Sequence, residues 1–147
     1  MQFQTNIQEA CYNKICLWMR ELFDKFPSVR QDLPVISLFM GSALVEVSVF
    51  PSGDDEAIVN TRSYVVTNVD LKPDLMKFLL QENSKMRFGA FGIDDNGDLI
   101  FEHTIVGSSC DKPELEASVK AVLAIADEYD DKIVEIWGGK RALDRIS

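Results

Sequence analysis

The side chains able to do chemistry in this chain are few and scattered. His103 is the sole histidine among 147 residues. The β-rich sequence around it places it in a strand, where a metal site or acid–base pair would lack its usual second partner. It therefore reads as a structural histidine. Cys11, Cys16 and Cys110 show no C-x-x-C spacing, and their odd number fits a reducing cytoplasm rather than a disulfide framework. Gly138-Gly139-Lys140 follows a helical pattern, whereas a phosphate loop stands between strand and helix as G-x-x-x-x-G-K-[ST]; it reads as a helix C-cap. Asp94-Asp95-Asn96-Gly97-Asp98 invites comparison with a calcium loop, but an EF-hand places Gly sixth and Glu twelfth. Here the glycine is fourth from Asp94. Asn-Gly between two strands predicts a hairpin with a type I′ turn, with positive φ at both central residues. Carboxylates abound, yet their spacing fixes no acid–base pair. With no nucleophile, base or metal set to name, the chain reads as a non-enzyme without a cofactor.

The elements that position these residues follow from periodicity. Ile7, Cys11, Ile15, Trp18, Leu22 and Phe26 recur at helical spacing, predicting a helix over residues 6–26 that Phe26-Pro27 ends. Val35 to Met40 is apolar and β-rich, Gly41-Ser42 is a tight-turn signal, and Val45, Val47 and Val49 alternate with Leu44, Glu46, Ser48 and Phe50. Pro51 to Asp55 reads as a polar loop, and Ala57 to Thr67 as a third strand of an antiparallel meander. Asp70 opens a second helix with Pro73 in its first turn and Leu75, Phe78 and Leu79 inside. Met86 to Ile93 and Leu99 to Val106 are two further strands. Asp111 and Glu114 resemble a capping box. A last helix runs from there to Trp137, with Leu115, Val119, Val122, Ala126, Tyr129, Ile133 and Ile136 on one face. A helix lying along a sheet explains that stripe better than a coiled-coil seam. The expectation is one α+β domain over residues 1–147, with helices on a single antiparallel sheet of about five strands in the order α-β-β-β-α-β-β-α.

Charge narrows the partners. The chain carries 15 Lys and Arg against 24 Asp and Glu, a net −9. Residues 92–131 hold eleven acids and two bases, so the rest of the chain is neutral. Phosphate binding needs clustered cations, which argues against nucleic acid and against an anionic membrane surface. Met1 to Asn6 carries neither the basic nor the apolar segment of a secretory leader, and no apolar run reaches the ~18 residues of a membrane span. A cytoplasmic protein is expected.

What remains for function is surface. If Val45, Val47 and Val49 face the helices, Leu44, Glu46 and Phe50 face away, and Arg62 and Tyr64 of the next strand join them. This mixture of aliphatic, aromatic and charged groups suits a partner surface. The element order, the segment Tyr64-Val65-Val66-Thr67-Asn68-Val69-Asp70-Leu71-Lys72-Pro73 and the acidic last helix ending Ile136-Trp137-Gly138-Gly139 resemble the YbjN family, whose fold is similar to that of type III secretion chaperones. The resemblance implies a small acidic homodimer that binds an extended segment of a client protein, with no catalytic residue. A non-enzymatic chaperone-like or adaptor domain is the expected function. The alternative is a regulatory domain that senses a small ligand or divalent metal through its acidic C-terminal half.

Overall fold

The computed structural model of the chain describes residues 1–23 and 27–145. Helix α1 spans Asn6–Leu22 and is capped by Thr5, whose side chain accepts from the Gln8 N–H at 3.0 Å. It is shorter than the predicted 6–26: the Phe23 N–H closes the last turn on the Met19 carbonyl, and Phe26 lies outside the described residues. Its buried stripe is Gln8, Cys11, Tyr12, Ile15, Cys16 and Met19, rotated from the predicted one, and Ile7 is exposed. The rotation follows from bulk and one polar anchor. Tyr12 and Met19 fill more of the core than Ile7, and the Gln8 amide donates to the Val49 carbonyl of the sheet at 3.0 Å.

The strands are β1 (Ser28–Val29), β2 (Val35–Met40), β3 (Ala43–Ser52), β4 (Glu56–Thr67), β5 (Ala90–Ile93), β6 (Leu99–Val106) and β7 (Lys140–Arg141). They form one antiparallel sheet in the order β1-β2-β3-β4-β6-β5, with β7 paired to the end of β4. The sheet has seven strands rather than about five. The additional ones, β1 and β7, are two residues long, too short for a period of two to show in sequence. Gly41 and Ser42 make a two-residue turn with positive φ on Gly41 alone, the type II′ pattern. The predicted loop from Pro51 shrinks to Gly53-Asp54-Asp55, because β3 continues to Ser52.

Valines 45, 47 and 49 pair in register with Ser63, Thr61 and Val59, and all of them are buried. This face receives α1 and the long helix α3 (Lys112–Trp137). Asp111 caps α3 by accepting from the Glu114 N–H at 2.8 Å, and Gly138 ends it at φ 83°. Leu115, Val119, Val122, Ala126, Tyr129 and Ile133 are all buried against the chain's own core, whereas Ile136, predicted on the same face, is exposed in the last turn of the helix. Full burial of each large aliphatic side chain contributes about 1.5–3 kcal/mol. Helix α2 (Pro73–Asn83) has Lys72 rather than Asp70 at its cap position and no side-chain cap; Pro73 stands at its first position, where a missing N–H costs little. A short helix α4 (Ala142–Arg145) closes the described chain.

The β5–β6 hairpin departs from expectation at both ends. Its turn is not type I′: among the described residues positive φ falls on Gly97 and not on Asn96. The Asp94 carboxylate accepts from the N–H groups of Asn96 and Asp98, and the Asp94 carbonyl accepts from the Gly97 N–H. That local bonding leaves only the last turn residue to turn left-handed. At the other end β5 begins at Ala90, not Met86. Gly89 sits at φ 82°, and a Cβ there would lie 2.5 Å from the Glu102 carbonyl oxygen. The chain therefore leaves the sheet edge at Gly89.

Candidate functional site

The early departure of β5 exposes part of β6. Strand β6 pairs with β4 along most of its length, up to Val106, but with β5 only as far as Glu102, opposite Ala90. In an antiparallel ladder successive residues direct their N–H and C=O groups to opposite sides. The Asp94 N–H bonds to the Asp98 carbonyl across the hairpin. That fixes the phase: even-numbered residues of β6 point toward β5, and Phe101, His103 and Ile105 point toward β4. Beyond Ala90 no described residue on the β5 side meets the N–H and C=O of Thr104 or the N–H of Val106. The Val106 carbonyl accepts from the Ser109 hydroxyl at 3.4 Å. These backbone groups form a short open sheet edge, able to take another strand.

Beside this edge runs a groove of about 600 Å³, lined by Phe88, His103, Thr104, Ile105, Val106, Asp111, Pro113, Glu114 and Ala117. One wall is the strand edge and the other is the first turns of α3. His103 forms part of this lining on the helix-facing side. Its Nδ1 lies 2.8 Å from the hydroxyl of Ser118, a fully buried residue of α3, and Phe88 packs against the imidazole with centroids 5.5 Å apart. Burial pushes the His103 pKa below its ordinary value, so the imidazole is neutral near pH 7. His103 is thus bonded to a buried serine of α3, and its ring also forms part of a ligand-sized groove.

The opposite end of the β5 edge is closed. Asn83, the last residue of α2, accepts from the Phe91 N–H at 2.7 Å and donates to the Phe91 carbonyl at 3.2 Å. Its amide occupies the place of a neighbouring strand, so a partner strand finds no free pair at Phe91.

The five residues picked from sequence lie on the sheet face away from α1 and α3. Glu46, Phe50, Arg62 and Tyr64 line a second, smaller groove of about 360 Å³ with Ser48, Ile58, Asn60 and Thr104, to which no helix contributes. Leu44 lies on the same face, paired with Phe39 and outside that groove. Phe50 is half exposed, and the Arg62 guanidinium is paired with Glu102 at 2.5 Å. Sequence reasoning missed Phe88, Thr104, Val106 and Ala117. The signal available was Gly89, an isolated glycine inside a strand pattern, which marks a close backbone approach or an interruption.

Among the described residues no group of His, Cys, Asp or Glu side chains is arranged to hold a metal ion. Cys11, Cys16 and Cys110 are free and buried, and burial raises the Cys110 pKa to about 11. No described helix is long and apolar enough to cross a membrane. The site thus offers hydrogen-bonding backbone, an apolar cleft and an acidic rim.

No curated protein matches the chain. A family model described as T3SS (YopN, CesT) and YbjN peptide-binding chaperone 1 matches residues 16–145. The match spans both helix-covered and open parts of the sheet and includes every residue of the β6 groove and of the opposite face. The chain belongs to this family of peptide-binding chaperones.

Proposed function

We propose that the chain is a non-enzymatic chaperone or adaptor that holds an extended segment of a client protein as an added strand on the open edge of β6. The observation that carries this reading is the N–H and C=O of Thr104 and the N–H of Val106, unpaired among the described residues, beside an apolar groove of about 600 Å³. Backbone pairing supplies affinity that is tolerant of sequence, and the groove supplies selection. The helix-free face with Leu44, Glu46, Phe50, Arg62 and Tyr64 is a second partner surface, which we assign to another copy of the chain. Glu46 stands directly across from Arg62 in register, yet Arg62 bonds Glu102. Two copies related by a two-fold axis would bring each Glu46 toward the other copy's Arg62.

The test uses a panel of fluorescein-labelled, end-blocked nonapeptides with strand-forming sequences. Thr104→Pro removes the outward N–H, a change that an edge position tolerates. The expected result is binding of a subset of peptides by the unaltered protein and its loss in the Thr104→Pro variant at unchanged circular dichroism. If no peptide binds, or the variant binds them equally, the reading fails. Sedimentation of Phe50→Glu tests the dimer: a dimer that becomes a monomer supports it, and a monomer in the unaltered protein overturns it.

A further inference from the structure

Resting on that reading, we infer that the segment held at the β6 edge carries a branched aliphatic residue with a lysine or arginine two positions away. Geometry sets the pattern. The residue of an added strand opposite Thr104 exchanges both backbone hydrogen bonds with it, the residue opposite Val106 accepts from the Val106 N–H, and the side chains of both lie on the helix-free face. The residue between them, opposite Ile105, faces the helices. Its side chain enters the cleft among Phe88, His103, Ile105, Pro113 and Ala117. Ala117 is the small residue of that set and leaves room for a branched side chain. Ala90 already occupies the place opposite Glu102, so the new strand cannot extend in that direction. It must continue past Val106.

The next helix-facing position in that direction reaches the end of the groove lined by Asp111 and Glu114. Asp111 commits one carboxylate oxygen to the α3 cap. Glu114 is exposed and has no ion-pair partner among the described residues. Two cations at this end are engaged elsewhere: Lys112 pairs with Glu21, and the Lys14 ammonium donates to the carbonyls of Gly107 and Cys110. No lysine or arginine lines the groove. A cationic side chain two positions from the aliphatic anchor therefore meets an unpaired carboxylate, whereas an acidic one meets like charge.

Three blocked pentapeptides on a threonine–serine background, short enough to clear Ala90, test this. Each has a central isoleucine, with lysine, glutamine or glutamate two positions to either side, so that strand direction does not matter. Binding is read by fluorescence anisotropy. The lysine peptide should bind about ten-fold tighter than the glutamate peptide, with glutamine between them. Glu114→Lys should reverse the order and Glu114→Gln should flatten it, both at unchanged melting temperature. Replacing the central isoleucine by serine should weaken binding by about ten-fold or more. Equal binding of all three peptides, abolished by Thr104→Pro, overturns the charge pattern while leaving strand addition intact. A preference that survives Glu114→Lys also overturns it. Failure of every peptide, with Thr104→Pro converting a dimer to a monomer, would give the edge to a second copy and overturn both.

Discussion

Ser42 has one hydroxyl proton and two carboxylate oxygens within reach, Asp127 Oδ1 at 2.6 Å and Asp130 Oδ2 at 2.5 Å. Both contacts are hydrogen bonds only if one carboxyl carries a proton. Of the two, Asp130 holds a proton the more readily. It is almost fully buried, and burial pushes its pKa above the ordinary carboxylate value, while hydrogen bonds from Ser42 hold Asp127 below it. Arg141, bonded to Asp131 and Asp144, adds a favourable charge on the Asp127 side. The chain Asp130–Ser42–Asp127 ties the β2–β3 turn to α3. A raised native pKa means that the folded state holds this proton more tightly than the unfolded chain. Stability from Asp130 is therefore greatest in acid and declines as pH rises from about 4 through the native value. Asp130→Asn mimics the protonated form. It should raise stability at pH 7 by about 1 kcal/mol in urea unfolding, with the gain vanishing near pH 3. A gain that is independent of pH would contradict the assignment. Thr61 poses a simpler case. Its hydroxyl is buried under the helices and has no hydrogen-bond partner among the described residues. Thr61→Val should add about 1 kcal/mol of stability, measured the same way, because it removes an unpaired polar atom at constant shape.

At the scale of elements, the shortness of β5 is the feature with most consequence. Alternation in the sequence marks β6 as a strand but says nothing of which neighbour covers which residue. The phase of the ladder makes a sharp expectation for native-state amide exchange. Thr104 and Val106 should exchange at least about a hundred-fold faster than His103 and Ile105, which bond to β4. Uniform protection along β6 would mean that the edge is not open. The meander, the second hairpin and the long last helix were legible because each has a clean period or a capping residue: Val45 to Val49, Asn96-Gly97, Asp111. The turn type at Asn96-Gly97 was not, because the Asp94 carboxylate satisfies the local N–H groups in a way that dipeptide preferences omit. The α1 stripe shifted because helical periodicity tolerates rotation by a residue, and the sheet chose Gln8 over Ile7 through the Val49 carbonyl.

At the scale of the whole molecule, the net charge of −9 arises from residues 92–131, which form the second hairpin and most of α3. Concentrated like charge repels itself, and salt relieves it. The melting temperature should therefore rise by a few degrees between about 20 and about 300 mM NaCl, followed by circular dichroism, while a lysine-bearing peptide loses affinity over the same range. A melting temperature that falls with salt would show that attractive pairs outweigh the acidic strip. The sequence by itself determined the composition of the layers: which strand face is apolar, which helix lies along it, and that the chain is acidic without an evident catalytic set. These are local properties of period, cap and charge. It also grouped Leu44, Glu46 and Phe50 on one face, with Arg62 and Tyr64 of the next strand beside them, but period two leaves open which face the helices cover. Only the tertiary structure decided where a partner strand finds unpaired backbone. That depends on Gly89 turning the chain off the sheet, on Asn83 closing the edge at Phe91, and on residues fifteen or more apart meeting across a groove. Hydrogen-bond vacancies at an edge are properties of neighbours, and neighbours are set by the fold.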